Sequence, residues 1–354
     1  MVAVAREWYA TNMQFQLYLQ KLMPVFANLI FIGFALLFLQ SEIIPSYSFI
    51  SDQTLRVLLL MTGLYIIIAI PYRLMTPLSD KKSKGELALQ ALGKGIKRFH
   101  PRYPLRVHRD DLVITHEEKT ALLFILVKFV FLPVMINFLL DHIVALGRHW
   151  HSLGFYSTVQ SLGGFNSLFF PMAASLIFFV DVLYFTFGYI FEHEKLQNIV
   201  RSVEPTFFGW FVTLACYPPF NLATGHVLGW YANDFLFLPN PYITTALGSV
   251  GLVLFCIYVW ASLALGTKCS NLTNRGIVSR GPYAWVRHPA YFSKNMAWWL
   301  TVIPTLNPVA YASMAGWTLL YYLRAYTEER HLLADPDYQA YVKKVPYQFI
   351  PKIW

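Results

Sequence analysis

Charged residues are scarce in this chain of 354 residues. Asp, Glu, Lys and Arg together make up 13% of it, about half of the roughly 25% that is typical of soluble domains. Hydrophobic residues make up 56%, and several apolar runs reach the roughly 20 residues that a helix needs to cross a bilayer. The composition therefore excludes an ordinary soluble domain and predicts an integral membrane, multi-pass protein.

Cysteine is also rare, and the three residues Cys216, Cys256 and Cys269 are far apart. Their spacing matches no metal or redox motif, so we expect small buried side chains or free thiols and no metal site. The net charge of +9 does not predict a nucleic-acid partner, because the basic residues cluster in loops between apolar runs. No cleavable signal peptide is evident, and the first apolar run, from about residue 22, is long enough to remain as an anchor.

The apolar runs predict an all-α fold, a polytopic transmembrane helical bundle of about eight spans. We expect these spans at about 22–40, 55–74, 120–147, 168–191, a segment from 206 that Pro218-Pro219 interrupts, 242–265, 289–304 and 308–326. This threading places nearly every Lys and Arg on one side, in 1–21, 75–118, 192–205, 266–288 and the tail. Both termini are therefore predicted to be cytoplasmic, in a bacterial inner membrane or the endoplasmic reticulum.

The longest polar segment, 75–118, carries many of the basic residues. Within it, 85–99 predicts a basic amphipathic helix, and two prolines interrupt 100–106. The simpler interpretation is a cytoplasmic loop held against anionic headgroups of the membrane lipids. The alternative is a surface that guides an anionic lipid or substrate toward a site.

A short cationic stretch, Gly276 to Tyr291, lies between two apolar runs. Gly281-Pro282 predicts a turn, and Pro289 suits the first turn of a helix. Arg287 and His288 would then stand at the N-terminus of that helix, where unpaired N–H groups favour a carboxylate or phosphate. The alternative is a positive-inside loop whose Arg and His meet lipid headgroups.

The last two predicted spans are joined by Asn307-Pro308, which predicts a tight turn. The two helices must then be antiparallel neighbours, and their cytoplasmic ends meet. That geometry brings together two polar groups of residues, namely Arg287, His288 and Tyr291 with Arg324, Glu328 and Glu329. The alternative for Arg324 and Glu328 is a solvated pair at i,i+4 spacing.

Asp181 is the clearest ionisable residue inside an apolar run. At helical spacing it shares a face with Tyr184 and Gly188, and such a mixed face predicts the lining of a substrate cavity. The alternative is a structural pair, for example with Lys128, that locks two helices together. In the following loop, Arg201 and Glu204 are candidates for closing a headgroup site.

The C-terminal motifs carry a family resemblance. In order along the chain they are Leu272-Thr273, Gly281-Pro-Tyr-Ala-Trp-Val-Arg-His-Pro-Ala-Tyr, Asn307-Pro308, Arg324, Glu328-Glu329, Leu332, Tyr338-x-x-Tyr341 and Val345-Pro346. This order resembles the isoprenylcysteine carboxyl methyltransferases and related phospholipid methyltransferases. The resemblance covers about 242–354 and divides the chain into an N-terminal transmembrane bundle, 1–241, and a methyltransferase-like membrane core with a C-terminal cofactor-binding region, 242–354.

The family resemblance implies an integral membrane enzyme that uses S-adenosyl-L-methionine without a Rossmann domain. The absence of a Gly-x-Gly-x-x-Gly fits that picture. The implied cofactor-binding residues lie in or near the motifs, at Gly281, Tyr283, His288, Pro289, Tyr291, Arg324, Glu328 and Glu329. Arg287 and Lys344 are the implied catalytic cations, and Asp181, Tyr184 and Arg201 are expected to bind substrate. Methyl transfer to an ionised carboxylate needs positioning and desolvation rather than a general base.

Two features depart from the family pattern. Ala334-Asp335-Pro336-Asp337 replaces the usual Phe-Gly, and the C-terminal 345–354 also resembles the membrane sterol reductases, which bind NADPH. Those reductases typically lack the Pro after Arg-His and the Glu-Glu pair. The leading hypothesis is therefore an S-adenosylmethionine-dependent methyltransferase acting on a lipophilic acceptor from the bilayer, an isoprenylcysteine carboxylate or a lipid headgroup. The alternatives are an NADPH-dependent sterol-type reductase and a non-enzymatic lipid-binding membrane module.

Overall fold

The computed structural model describes residues 2–41, 49–99, 112–151 and 161–353. Within these ranges the chain is mostly helical, with connecting loops and turns and one antiparallel pair of two-residue strands, β1 (Ser202–Val203) and β2 (Thr273–Asn274). The predicted all-α class is therefore confirmed. The segment 100–106, predicted to be broken by prolines, lies outside the described residues.

The principal helices are α1 (Val2–Gln40), α2 (Asp52–Met75), α3 (Lys84–Phe99), α4 (His116–His151), α5 (Phe170–Ile190), α6 (Phe207–Leu214), α7 (Phe220–Leu228), α8 (Pro241–Leu265), α9 (Pro289–Val302), α10 (Pro308–Leu332) and α11 (Pro336–Lys344). A helical turn, Leu162–Gly164, and a π-helical turn, Phe165–Phe169, lead directly into α5.

Five of the described helical segments are long and apolar enough to cross a membrane: Asn12–Gln40, Asp52–Met75, His116–Trp150, Leu162–Ile190 and Pro241–Lys268. The predicted count of about eight spans is not confirmed. The segment around Pro218-Pro219 forms two helices of 8 and 9 residues. Helix α9 has 14 residues, about 21 Å at 1.5 Å per residue, against a hydrocarbon core of about 30 Å.

The described chain forms two compact units, and the first contains α1, α2, α3 and α4 as far as Val130. The helix predicted over 85–99 is α3. It begins with a reciprocal cap, because Ser83 Oγ accepts from the Glu86 N–H at 3.3 Å and Glu86 accepts from the Ser83 N–H at 2.8 Å. Lys94 then pairs with Glu118 at 2.9 Å and fixes α3 against the start of α4.

The second unit runs from Phe131 to the C-terminus and contains every residue of the predicted motifs. Its core lies where α8 packs against α5 and α9, around Phe170, Phe178 and Phe255. A further cluster around Trp298, Val302 and Met314 packs α9 against α10. The boundary predicted at residue 241 remains a prediction, while the compact unit itself extends back to Phe131.

The segment containing α6 and α7 follows α10 along its length. At one end, Arg330 near the C-terminus of α10 donates to Thr206 Oγ1 at 2.6 Å. At the other end, Ser313 near the N-terminus of α10 donates to the Gly229 carbonyl at 3.0 Å. Since Thr206 and Gly229 flank α6 and α7, this segment runs antiparallel to α10.

Helices α9 and α10 form the predicted antiparallel hairpin. Leu306 adopts a left-handed conformation with φ of 50°, and Asn307 Oδ1 accepts from the Val309 N–H at 2.9 Å to cap α10. The hairpin returns α10 beside α9, so the N-terminal end of α9 faces the C-terminal end of α10.

Candidate functional site

The cationic motif forms the predicted turn followed by the predicted helix. Gly281 has φ of 60° and opens a 3₁₀ turn over Gly281–Ala284. A Cβ at this position would lie 3.2 Å from the Cβ of Ala264, so both the conformation and the space favour glycine. Pro289 occupies the first turn of α9, and no side chain of the described residues caps that helix. This arrangement leaves Arg287 and His288 at the N-terminus of α9.

Arg287 and His288 converge on one carboxylate of α10, that of Glu329. Arg287 Nε donates to Glu329 Oε1 at 2.7 Å, and His288 Nε2 lies 2.9 Å from the same oxygen. The Arg287 and His288 side chains are both buried, with exposed residue fractions of 8% and 6%. The predicted meeting of the two helix ends is therefore confirmed, and Glu329 is the residue that joins them.

The C-terminal tail completes this arrangement. The backbone N–H groups of Arg287 and His288 donate to the backbone carbonyls of Tyr347 and Gln348, at 3.0 and 2.8 Å respectively. Arg287 Nη1 also donates to the carbonyls of Val345 and Pro346 at 2.9 and 2.7 Å. The guanidinium is thus used to hold the tail and α10 against the motif.

The charge state of Glu329 follows from these contacts. Burial raises the pKa of the Glu329 carboxyl, but the hydrogen bonds from His288 and Arg287 outweigh burial and lower the pKa to about 2. A depressed folded-state pKa stabilises the fold above the usual value of 4.5, and that contribution is lost as the pH falls toward 2. Glu329 is therefore ionised throughout the physiological range.

A second group of contacts links Tyr291, Arg324 and Glu328. Tyr291 donates to Glu328 Oε2 at 2.7 Å. The Arg324 guanidinium carbon lies 5.0 Å from the centre of the Tyr291 ring and 5.2 Å from that of Tyr217. Arg324 Nη2 donates to Asn271 Oδ1 at 2.5 Å. Glu328 remains exposed, unlike its neighbour Glu329.

These residues border a cavity whose empty volume, counted with its open mouth, is about 1050 Å³. The wall is built from α5, the segment around α6, α8, the 270–273 loop, the motif, α9 and α10. Six of the predicted site residues line it: Tyr283, Arg287, His288, Tyr291, Arg324 and Glu328. Aromatic rings of Phe185, Tyr258 and Tyr321 form another part of the wall.

Two buried polar atoms of the cavity wall have no hydrogen-bond partner among the described residues. One is a donor, Asn271 Nδ2, whose own carbonyl oxygen is held by Arg324. The other is an acceptor, Glu204 Oε2. The second oxygen of the same carboxylate, Oε1, already accepts from Thr206 and Arg330. Because a buried polar atom without a partner is costly, this pair is a sign of a polar ligand.

The remaining predicted site residues lie away from the cavity wall. Gly281, Pro289 and Glu329 shape the motif behind it, as described above. Arg201 pairs with Asp335 and Asp337 at 3.0 and 2.7 Å, beside the N-terminus of α11. Lys344 is exposed at the end of α11, and Tyr184 lies on α5 outside the lining.

Asp181 lies directly behind the cavity wall. Its carboxylate accepts from Tyr258 at 2.5 Å and from the Ser262 hydroxyl, and both of these residues line the cavity. Asp181 thus joins α5 to α8 through two hydroxyl groups of α8. This contact agrees with the alternative in which Asp181 holds two helices together. The gap at Gly188 is filled by the backbone of Cys269.

Among the polar lining residues that the sequence analysis did not single out are Asn271 and Lys294. Asn271 lies beside the β1–β2 pair, and strands of two residues are too short to leave a periodic pattern in the sequence. Lys294, in contrast, is a charged residue within the apolar run of α9. That signal was present in the sequence, because ionisable residues in apolar helices are usually functional.

One stretch in the C-terminal part of the chain is similar to a known protein family. Residues 245–334 match the model of the isoprenylcysteine carboxyl methyltransferase family. No curated protein matches the chain. The match contains the motif, the α9–α10 hairpin and both glutamates, and it ends before Tyr338. The family resemblance is therefore confirmed over this segment, and it indicates a membrane methyltransferase.

Proposed function

We propose that the protein is an S-adenosyl-L-methionine-dependent methyltransferase that acts on a lipophilic acceptor. When bound, S-adenosylmethionine supplies a methyl group carried on a positively charged sulfur. The family match supports the methyltransferase chemistry. The specific cofactor is proposed from the polar groups that the cavity presents.

The polar groups of the cavity wall are complementary to such a cofactor. The unpaired Asn271 amide and Glu204 carboxylate oxygen are complementary to a ligand that has both acceptors and donors. The accessible carboxylate of Glu328 is suited to ribose hydroxyls or an ammonium group. The two unpaired buried atoms in one wall are the observation that carries this proposal.

The cationic end of the cavity is suited to the carboxylate of the cofactor. The N-terminus of α9 has no side-chain cap, and Ala290 and Tyr291 of its first turn line the cavity. Arg324 has no carboxylate within 4.0 Å among the described residues. A helix N-terminus and a guanidinium together favour an anion.

Tyrosine rings supply the rest of the cofactor environment. Tyr283 and Tyr291 line the cavity and can contact an adenine ring or a sulfonium through their faces. Burial raises the pKa of the Tyr283 phenol well above its usual value, so the ring remains neutral. Such walls exclude water and fix the orientation of the reacting groups, which is the main requirement for methyl transfer.

The experiment is a ligand-dependent unfolding measurement on the purified full-length protein. S-adenosylhomocysteine should raise the midpoint of thermal unfolding in a concentration-dependent way, whereas NADPH should not. In parallel, methyl-tritiated S-adenosylmethionine incubated with the protein and a membrane lipid extract should label a lipid fraction. Stabilisation by NADPH alone would favour the sterol-reductase alternative, and no stabilisation by either ligand would contradict the proposal.

A further inference from the structure

We propose that Lys294 binds the anionic group of the methyl acceptor, a carboxylate or phosphate on a lipophilic molecule. This inference rests on the proposed methyltransferase function and adds the position of the acceptor's charged group. It assigns the acceptor contact to a cation of α9 one turn beyond the motif, rather than to Arg287.

The ammonium group of Lys294 lies among aromatic rings at the cavity wall. Nζ is 4.8 Å from the ring centre of Tyr258, 5.0 Å from that of Phe178 and 5.2 Å from that of Trp298. The face of an aromatic ring attracts a cation, but it does not replace an oxygen atom as a hydrogen-bond acceptor. Lys294 therefore has a favourable position for its charge without oxygen partners.

The three N–H donors of this ammonium group have no acceptor among the described residues. The nearby carboxylates are engaged elsewhere, since Asp181 accepts from Tyr258 and Ser262, and Asp234 accepts from Trp298 at 3.1 Å. Neither carboxylate lies within 4.0 Å of Nζ, the distance within which the ion pairs of the described chain fall. A partly buried cation with three unused donors favours an anionic ligand.

The Arg287 guanidinium at the motif is less accessible to a ligand than the Lys294 ammonium group. Arg287 donates through Nε, Nη1 and Nη2 to Glu329 and to two carbonyls of the tail. An acceptor anion at Arg287 would have to compete with a buried carboxylate that is already in place. Arg324 lies beside Asn271 and Tyr291, at the end of the cavity proposed for the cofactor.

Lys294 and Tyr291 are three residues apart on α9 and therefore lie on the same side of the helix. The rise between them is about 4.5 Å, so Lys294 is one turn farther from the motif than the Tyr291–Glu328 contact. The neighbouring wall contains Phe185, Tyr258 and Tyr321. A lipophilic acceptor can place its chain against these rings while its anion meets Lys294.

The test uses two substitutions of Lys294 and one matched control. Lys294→Met removes the charge but retains the length and flexibility of the side chain, and Lys294→Arg retains the charge. Lys343→Met is the control, because Lys343 is exposed on α11 and does not line the cavity. The probes are N-acetyl-S-farnesylcysteine with its neutral carboxamide, and farnesyl phosphate with farnesol.

Unfolding midpoints are measured with each probe in the presence of S-adenosylhomocysteine, and methyl transfer to the farnesylcysteine probe is measured separately. The wild-type protein should bind at least one anionic probe about tenfold or more tightly than its neutral partner. Lys294→Met should lose that preference and raise KM about tenfold or more, with a smaller change in kcat. Lys294→Arg should restore much of the preference, and Lys343→Met should resemble the wild type.

The outcomes separate this inference from the proposed function. Equal binding of acid and neutral probes by the wild type would overturn the role of Lys294, as would an unchanged preference in Lys294→Met. Preference for the carboxylate probe or for the phosphate probe identifies which anion the acceptor carries. If S-adenosylhomocysteine does not stabilise the wild type, the proposed function fails, while the comparison of charged and neutral probes still tests Lys294.

Discussion

Glu328 and Glu329 are adjacent in the sequence, yet their carboxylates have opposite surroundings. The Glu329 side chain is 12% exposed and is held by Arg287, His288 and Gln348. Glu328 is exposed at the cavity wall and is contacted by the Tyr291 hydroxyl. Their positions on α10 differ by about 100° of helical rotation, which explains why one faces the motif and the other the cavity. Glu329 is thus suited to holding the site together and Glu328 to contacting a ligand.

This difference predicts that substituting the two glutamates has separable effects. Glu329→Gln leaves the buried Arg287 without its carboxylate, and breaking such a pair costs about 3–5 kcal/mol. We expect a clear decrease in the thermal unfolding midpoint. Glu328→Gln should change that midpoint little but weaken S-adenosylhomocysteine binding about tenfold. Both are measured by thermal unfolding with and without the ligand. A stable Glu329→Gln protein, or unchanged ligand binding by Glu328→Gln, would contradict this division of roles.

The sequence predicted the part of the site that depends on chain order. His288 at the start of α9 and Glu329 near the end of α10 had to meet once Asn307-Pro308 was interpreted as a tight turn. It did not predict that Arg287 would be saturated by Glu329 and the tail, since this depends on how residues 345–348 return to the motif. Nor did it predict Asn271, which reaches the cavity through the pairing of two very short strands.

At the scale of elements, the position of α5 depends on a close approach at Gly188. The helix passes the loop after α8 so closely that a Cβ on Gly188 would overlap the Cys269 carbonyl oxygen. Arg275 Nη2 donates to the Gly188 carbonyl at 2.8 Å and holds the same junction from the other side. The sequence suggested a mixed face formed by Asp181, Tyr184 and Gly188. At Gly188 this face packs against the backbone of Cys269.

Gly188→Ala should consequently destabilise the protein. The obstructing atom belongs to the backbone and cannot rotate away, so α5 or the 269–271 loop must shift. Overpacking of this kind typically costs about 1–3 kcal/mol, more than the roughly 1 kcal/mol that alanine contributes in a helix. Gly63→Ala in α2 is the control, because a Cβ added to Gly63 would have no atom of the described residues within 4 Å. Thermal unfolding should show a lower midpoint for Gly188→Ala alone, and a midpoint equal to that of the control would refute the close contact.

At the scale of the whole molecule, the number of crossings depends on the segment that contains α6 and α7. Five described helical segments have the length and composition of membrane spans. The α6–α7 segment runs along α10 from Arg330 to Ser313, a distance of about 25 Å at 1.5 Å per residue, and a broken crossing there would make six. The α9–α10 hairpin adds either none or two. With a crossing at the α6–α7 segment the total is even in either case, and we then predict that the two chain ends lie on the same side of the membrane.

We expect both termini to be cytoplasmic. The 75–118 and 266–288 loops, in which basic residues cluster, should lie on the same side. Green fluorescent protein, which fluoresces on the cytoplasmic side of a bacterial membrane, and alkaline phosphatase, which is active on the other side, are fused in turn to each terminus. Both termini should give fluorescence without phosphatase activity. A phosphatase fused at Asn240, the cap of α8, should be active, because α6 and α7 precede it. Termini on opposite sides would show that the α6–α7 segment returns to the face from which it entered.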